Sequence, residues 1–257
     1  MKRLIQQAIG CFGYELRRTI TLNGGAPGSE TRPIGQLDLF LQDVAARKFL
    51  PRGIVDVGAN RGNWTRIALS VFPGTPVILI EPQDEMQPQL QALVKEAPQC
   101  KVVQAGAGRE AGELVQTIYP DTEGSTFLQP REASLQVPER RRKTRIVTID
   151  EILRAEPKFE PDLVKLDIQG FELEALAGGS SLFGRTELFV IEVSLFEFMP
   201  KVPLAREVIN FMAARNYELY DVVGRCRRSN DGAVGNLDLA FVKSSGMFRK
   251  SMNWGPD

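Results

Sequence analysis

Histidine is absent from the 257 residues of this chain. Its absence excludes a Ser-His-Asp triad, a Cys-His pair and a zinc site built on imidazole. A side chain acting as general base must therefore be Asp, Glu, Lys, Tyr or Cys. Cysteine is scarce as well, because the chain has three cysteines, far apart in sequence and in no CxxC pair. A disulfide framework is not expected, and a cytoplasmic location is predicted.

Net charge and long apolar runs are also missing. The 32 basic residues balance the 32 acidic ones, which leaves no overall basic surface for nucleic acid. The uncharged stretch 67–80 is too short to cross a membrane, and Pro73, Gly74 and Pro76 interrupt it. The N-terminal segment has no convincing small-residue cleavage site, so no signal peptide is expected. A content of 43% hydrophobic and 25% charged residues is typical of a globular domain.

The N-terminal region differs in pattern from the rest of the chain. Residues 1–18 have the apolar spacing of an amphipathic helix beside basic residues. We favour a helix lying on the domain's own core, and the alternative is a weak contact with a membrane surface. The sequence then predicts a loop over 19–35 and a second helix over 36–49. These patterns predict an N-terminal extension over 1–50, a main domain over 51–245 and a tail over 246–257.

Beyond residue 52, short β-rich runs alternate with stretches of helical spacing. Strands separated by helices predict a doubly wound, mostly parallel α/β sheet. Two late runs, 217–223 and 237–242, are close enough in sequence to pair antiparallel. Residues 105–146 lose this alternation, which predicts an irregular hairpin insertion or a mobile region. The other predicted strands are 53–57, 77–80, 101–103, 163–168 and 188–193, and the predicted helices are 64–72, 87–97, 172–177 and 204–214.

The first predicted strand ends in a glycine turn, DVGANRG (56–62), which a helix follows. Open α/β sheets bind ligands at the carboxyl ends of their strands, where the chain order reverses. Gly58 and Gly62 carry no Cβ, so the backbone can approach a ligand closely there. Asp56 can accept hydrogen bonds from an ammonium group or from water. Glu81 ends the second predicted strand, about 20 residues after the glycine turn, where an acidic side chain suits ribose hydroxyls.

Two cofactor classes use this geometry, and the glycine spacing separates them. A dinucleotide requires GxGxxG, so that the amides of a helix N-terminus meet its pyrophosphate. This chain has GANRG (58–62) instead. A cofactor with a ribose but no phosphate fits better, so the residues favour S-adenosylmethionine. The alternatives are a nicotinamide-dependent oxidoreductase, or glycines that only turn the chain beside a surface Glu81.

A second group of charged residues lies in the run DLVKLDIQGFE (162–172). Lys165 and Asp167 fall on one face of a buried-type strand, because strand side chains alternate in direction. Buried charges are costly unless they are paired or ligated. The two charges form a structural ion pair or, in the functional interpretation, Asp167, Gln169 and Glu172 lie at the rim of the cofactor pocket. Glu192, at the end of the next strand, adds a further acid.

Five segments occur in a fixed order: DVGANRG (56–62), IEP (80–82), VTIDEIL (147–153), LVKLDIQGFELEALAGG (163–179) and VIEVS (190–194). In this order they resemble the FkbM-type S-adenosylmethionine-dependent methyltransferases, and the resemblance covers about residues 50–245. Many methyltransferases share the first motif, whereas the run 163–179 is much more specific.

The resemblance implies a class I methyltransferase fold, with a seven-stranded sheet whose last strand is antiparallel. It also implies methylation of hydroxyl oxygens on sugars, glycans or polyketide-type natural products. The implied cofactor contacts are Asp56, Gly58 and Asn60 at the methionine end, Glu81 at the ribose, and Gln104 and Ala107 near the adenine.

The acids at the strand ends are the candidate catalytic residues, since histidine is absent. We expect Asp167 to act as the base or hydrogen-bond anchor of the acceptor, and Lys165 to orient it or balance its charge. Glu172 and Glu192 are expected on the acceptor side. Gln169 stands where the family often has Glu, and an amide cannot accept the proton. Carboxylates suit Mg²⁺, but these alone assign no metal.

Two basic runs, 140–145 and 225–228, are interpreted as a solvated face or as a site for an anionic group on the acceptor. The expected partner is a small-molecule or glycan acceptor, and a nucleic acid is not expected because the chain has no net charge and no Asn-Pro-Pro-aromatic motif. A catalytically inactive binding protein with this fold is a further alternative. The sequence leaves the acceptor, the choice between oxygen and nitrogen, and the oligomeric state open.

Overall fold

The computed structural model describes most of the chain, and the fold below is that of the compact unit 33–257. The predicted helix over 1–18 and most of the predicted loop over 19–35 lie outside the described residues. Among the helices that the structure describes, none is long and apolar enough to cross a membrane. The described residues are 32–120, 122–129, 140–251 and 253.

Helices and strands alternate along the described chain, as the sequence predicts. The predicted strand 77–80 and the predicted helix 172–177 occur at the same residues, and the other predicted elements in the described part differ only at their ends. The helix Ile149–Ala155 and the strands Gly106–Ala107 and Arg140–Val147 were not predicted. The helices are α1 (Leu37–Ala46), α2 (Asn63–Val71), α3 (Gln87–Glu96), α4 (Ile149–Ala155), α5 (Glu172–Ala177) and α6 (Ala205–Ala213). The strands are β1 (Ile54–Val57), β2 (Val77–Ile80), β3 (Cys100–Val103), β4 (Gly106–Ala107), β5 (Gly112–Ile118), β6 (Arg140–Val147), β7 (Leu163–Leu166), β8 (Leu188–Ser194), β9 (Tyr217–Arg227) and β10 (Val234–Lys243).

Seven of these strands form the main sheet in the order β3-β2-β1-β7-β8-β10-β9. The strands β1, β2, β3, β7 and β8 are parallel to their neighbours among these five. The last strand, β10, runs antiparallel to both β8 and β9. The predicted α/β fold, a mostly parallel sheet with an antiparallel last strand, is therefore confirmed. The order of the chain reverses between β1 and β7, which makes their carboxyl ends the expected ligand site.

Apolar residues fill the space on both faces of this sheet, as in doubly wound folds. Every position of β1, β2 and β7 is buried. Alternate residues of one strand enter different clusters, so Ile54 lies in one core and Val55 in the other. Helix α1 packs Phe40, Leu41 and Val44 into the first of these clusters. The two cores hold the strand ends rigidly in register, which fixes the polar residues that follow them.

The predicted insertion over 105–146 contains a small second sheet, in the order β4-β6-β5. Strands β5 and β6 pair antiparallel, and β4 pairs parallel with β6. The chain then returns to the main fold at α4, where Thr148 and Glu151 form a capping box. This small sheet provides one wall of the cavity described next.

Candidate functional site

A cavity of about 430 Å³ lies at the carboxyl ends of β1, β2 and β7. This is the position at which open α/β sheets bind ligands. Its floor comes from the main sheet, and part of its wall comes from the insertion through Gln116, Ser125 and Phe127. Of the residues predicted from the sequence, the lining includes Gly58, Asn60, Glu81, Ala107, Lys165, Asp167 and Glu192.

Glycine is required at the first turn because two strand ends touch there. Gly58 has a φ of 79°, and a Cβ at this position would lie 2.0 Å from the carbonyl oxygen of Asp167. Gly62 also has a positive φ, but its missing side chain makes room for Leu93 of α3. Gly62 is absent from the cavity lining, so its predicted contact with a cofactor is corrected to a packing role.

Glu81 is a buried carboxylate on the cavity wall, with 3% of its surface exposed. Its Oε2 accepts from the backbone N–H of Asn60 at 2.8 Å, and its Oε1 accepts from that of Gln83 at 2.9 Å. Burial raises the pKa of Glu81, and these two amides oppose the shift. Each oxygen retains a lone pair for a second donor. The carboxylate is thus fixed in place before any ligand arrives.

Asp56 does not line the cavity, which corrects its predicted contact with the cofactor. It is wholly buried, and its Oδ2 accepts from the Thr65 hydroxyl at 2.6 Å. Its Oδ1 lies 3.3 Å from the Nζ of Lys165, the residue opposite it in the pairing of β1 with β7. The enclosed Asp56 carboxylate thus forms an ion pair with Lys165 instead of facing the cavity.

Lys165 joins the two turns of the site. Its Nζ donates to the carbonyl oxygen of Gly58 at 2.9 Å and lies 3.5 Å from Oδ2 of Asp167. Burial alone lowers the pKa of Lys165, but the carboxylates of Asp56 and Asp167 reverse the effect, and its pKa is raised. The ammonium group is therefore charged and holds Asp167 at the cavity edge.

Three acids lie in one row across the sheet. The parallel pairing of β7 with β8 continues to bring Asp167 next to Glu192, and Asp238 of β10 lies opposite Glu192. The amide of Gln169 donates to Asp167 at 3.1 Å and to Glu192 at 2.9 Å. Burial, reinforced by the negative charge of Asp167, raises the pKa of Glu192 well above its ordinary value. Gln169 thus bridges two carboxylates that would otherwise repel each other.

Asp238 is a partly buried acid that the sequence interpretation missed. Burial raises its pKa to about 6. A Cβ at Gly224, its partner on β9, would overlap the Asp238 carboxylate, so this glycine makes room for the acid. Only the pairing of β10 with β8, which a single sequence does not reveal, would have identified Asp238 as a neighbour of the site.

Glu172 is placed away from the acceptor side, which corrects the prediction that it lines the pocket. Its carboxylate is buried, and Oε1 accepts from the backbone N–H groups of Ile168 and Gly170, at 2.9 and 3.2 Å. These bonds brace the turn in which Gln169 and Gly170 have positive φ. Its role is to hold that turn.

The same burial makes stability depend on pH. Burial raises the pKa of Glu172 to about 7, whereas an unfolded glutamate titrates near about 4.3. Between these values the folded chain binds more protons, so the stabilisation is present at low pH and is lost as the pH rises through about 7. Glu172→Gln stays neutral and keeps an acceptor oxygen. Its stability relative to the wild type should rise by up to about 1.4 kcal/mol per pH unit across this window.

Urea denaturation at pH 5 and pH 8 measures this difference. Glu174→Gln is the matched control, because Glu174 lies on the same helix and its hydrogen bond with Arg109 lowers its pKa. A difference between wild type and Glu172→Gln that does not change with pH would contradict the assignment.

Gln104 is turned out of the site, contrary to its predicted place near the adenine. Its amide donates to Asp84 on the surface, and Ala105, Gly106 and Ala107 line the cavity instead. The sequence interpretation missed several polar residues of the lining. They either belong to the insertion or to a later strand, or they form hydrogen bonds with residues of the insertion. They are Gln83, Gln116 of β5, Ser125 and Asn236 of β10. The Gln83 amide nitrogen donates to the Thr122 carbonyl, and its amide oxygen accepts from the Ser125 hydroxyl.

The first basic run is largely exposed and includes arginines that form ion pairs. Arg140 lies 2.9 Å from Glu85, and Arg142 pairs with both Glu85 and Asp84. These pairs tie β6 to the segment after β2. In the second run, Arg228 lies over the ring of Phe196, 4.1 Å from its centroid. Within the described part of the chain, no cluster of three His, Cys, Asp or Glu residues could hold a metal ion.

The fold, the strand order and the cavity at the switch point define a class I methyltransferase fold. A sequence profile described as "Methyltransferase FkbM domain" matches residues 56–219. The chain belongs to this family.

Two similar proteins agree with this assignment. Methyltransferase sdnD of Sordaria araneosa is 30% identical in an alignment of length 154, and the match covers 49% of this chain and 59% of the relative. The crystal structure of methyltransferase FkbM from Methylobacillus flagellatus KT has a TM-score of 0.50 and 19% identity, and the alignment covers 74% of this chain and 43% of that one. The chain thus spans less than two thirds of either protein, and the second likeness shows the fold alone.

Proposed function

We propose that this protein transfers a methyl group from S-adenosylmethionine to a hydroxyl oxygen of a small-molecule or glycan acceptor. The observation that carries the proposal is the fixed Glu81 carboxylate, which lies in one cavity with the glycine turn and with the acids Asp167 and Glu192. Membership in the FkbM family supports the reaction class.

The residues of the cavity fit this cofactor. A volume of about 430 Å³ is within the ordinary range for small-molecule sites. Glu81 would accept hydrogen bonds from the ribose hydroxyls, since backbone amides already fix both of its oxygens. Gly58 and Asn60 line the cavity and would contact the methionine end, and the small residues at 105–107 would lie near the adenine. When bound, S-adenosylmethionine supplies a methyl carbon made electrophilic by the attached sulfonium.

Asp167 receives the proton that the acceptor hydroxyl loses. Its side chain is partly exposed at the cavity edge, and the Nζ of Lys165 lies 3.5 Å from its Oδ2. Gln169 orients the Asp167 carboxylate by donating to its Oδ1. The same amide also donates to Glu192, which lies beside Asp167. The Gln169 amide donates and orients, and it cannot take up the proton itself.

Binding of S-adenosylhomocysteine, measured by calorimetry, tests the cofactor. We expect saturable binding that Glu81→Ala weakens at least about tenfold, because hydrogen bonds to a charged group contribute about 1.5–3 kcal/mol each. Glu81→Gln keeps one acceptor oxygen for the amides of Asn60 and Gln83, and it should lie between wild type and Ala. Glu96→Ala, which removes an exposed partner of Arg66, is the control and should leave binding unchanged.

The same titration with NAD and NADP separates the alternatives. Binding of either dinucleotide in preference to S-adenosylhomocysteine would favour an oxidoreductase. Absence of binding by folded protein, checked by circular dichroism, would favour an inactive binding protein with this fold.

A further inference from the structure

A groove of about 500 Å³ adjoins the cavity. Three residues line both spaces, which makes the groove continuous with the proposed reaction site: Gln169, Cys226 and Asn236. The remaining walls come from the segment after β8, from the end of β9 with the residue after it, and from the start of β10. They are Phe196, Glu197, Phe198, Arg227, Arg228 and Gly235.

Two phenylalanine rings give this groove its chemistry. Phe196 and Phe198 are 39% and 44% exposed, so both rings present apolar surface to the groove. The guanidinium of Arg228 lies 4.1 Å from the centroid of the Phe196 ring, and its Nε is 3.5 Å from Asp231. The cation is thereby held over the ring from one side. The wall is organised in advance of any ligand and offers flat apolar surface.

The groove leads to the acids of the site. Gln169, which lines both spaces, donates to Asp167 and Glu192, and Asn236 donates to Glu192 at 3.0 Å. When the hydroxyl of a bound molecule reaches these carboxylates, the hydroxyl end of the molecule faces the cofactor cavity. The rest of the molecule must therefore extend along the groove, over the two phenylalanine rings.

We propose that this groove binds the body of the methyl acceptor and selects an acceptor with an apolar ring next to its hydroxyl, in preference to a purely hydrophilic sugar. The inference rests on the proposed methyl transfer and narrows its substrate class. Stacking on Phe196 and Phe198 supplies the selectivity, since aromatic faces pack well against flat apolar rings. A bare monosaccharide carries hydroxyls on most of its ring carbons, and placing them against this apolar wall would cost hydrogen bonds to water.

The proposal is tested by the binding of 2-naphthol to the full chain saturated with S-adenosylhomocysteine. The fluorescence of the naphthol monitors this binding. Methyl α-glucopyranoside is the hydrophilic comparison, measured by calorimetry. We expect saturable naphthol binding that Phe196→Ala and Phe198→Ala each weaken about tenfold, with binding of the glucoside at least tenfold weaker than that of naphthol. Leu114→Ala removes an equally exposed apolar side chain from β5 and should leave naphthol binding unchanged.

Naphthol binding that neither phenylalanine variant weakens would overturn the proposal, and so would glucoside binding equal to that of naphthol. The cofactor arm is read separately. If S-adenosylhomocysteine fails to bind, the proposed methyl transfer fails, while naphthol titration of the chain without that ligand still decides whether the groove prefers rings.

Discussion

Asp167→Asn should lower the rate of methyl transfer by about 10²–10⁴-fold, the usual contribution of a positioned general base. Asparagine keeps the shape of the side chain but cannot take up the proton of the acceptor hydroxyl. The cofactor should still bind normally, because the Glu81 side of the cavity is unchanged. The rate is measured as transfer of a labelled methyl group to a ring-bearing hydroxyl acceptor, at saturating cofactor.

The pH dependence distinguishes Asp167 from its neighbour Glu192. Negative charge on Asp167 contributes to the raised pKa of Glu192, after burial. Removing that charge lowers the pKa of Glu192, so any residual activity that depends on ionised Glu192 should extend to lower pH. Glu174→Gln, a change at an exposed carboxylate paired with Arg109, should leave both rate and profile unchanged. Full turnover of Asp167→Asn with normal cofactor binding would exclude Asp167 as the base.

Lys165→Met should destabilise the fold by about 3–5 kcal/mol, because it leaves the wholly buried Asp56 without its cation. The loss includes the hydrogen bond from Nζ to the carbonyl of Gly58. Methionine has a similar length, so little of the effect comes from an empty volume. Urea denaturation followed by circular dichroism at neutral pH measures the change.

A double variant shows whether the charge or the packing is responsible. Adding Asp56→Asn to Lys165→Met removes the unpaired buried charge and should recover a large part of the lost stability. Lys101→Met is the matched control, because Lys101 forms an exposed pair with Glu156, and its loss should cost no more than about 1 kcal/mol. Equal destabilisation by the single and double variants would show that Lys165 acts through packing rather than through charge.

The main sheet could be predicted from the sequence because its strands are short, uniformly apolar and separated by amphipathic helices. Strand β2, over Val77–Ile80, has no polar residue and is found where it was predicted. The insertion was harder to predict, since β6 contains six charged or polar residues and pairs with an edge strand exposed on four of its seven positions. Its pairing depends on contacts between residues about 30 apart, which local patterns do not record.

The site could be predicted to the level of strand ends, but not to the direction of each side chain. Glu81 and Asp167 come directly after strands and face the cavity as expected. Asp56 also lies at a strand end, yet it faces inward because β1 pairs in register with β7 and brings Lys165 opposite it. Glu172 is drawn onto backbone amides of its own turn. Tertiary pairing of β1 with β7 gives Asp56 its partner, and a turn with positive φ gives Glu172 its backbone amides.

The way the insertion is anchored bears on how such a protein can evolve. Gly106 of β4 pairs with Ile146 of β6, so the sheet holds the two ends of the insertion side by side. The entropy of closing a loop grows only logarithmically, by about 0.6 kcal/mol for each doubling of its length. Residues can therefore be added or deleted between β5 and β6 with little effect on the seven-stranded sheet. One wall of the cavity is free to diverge while the glycine turn, Glu81 and Lys165 stay fixed, which separates the evolution of specificity from that of chemistry.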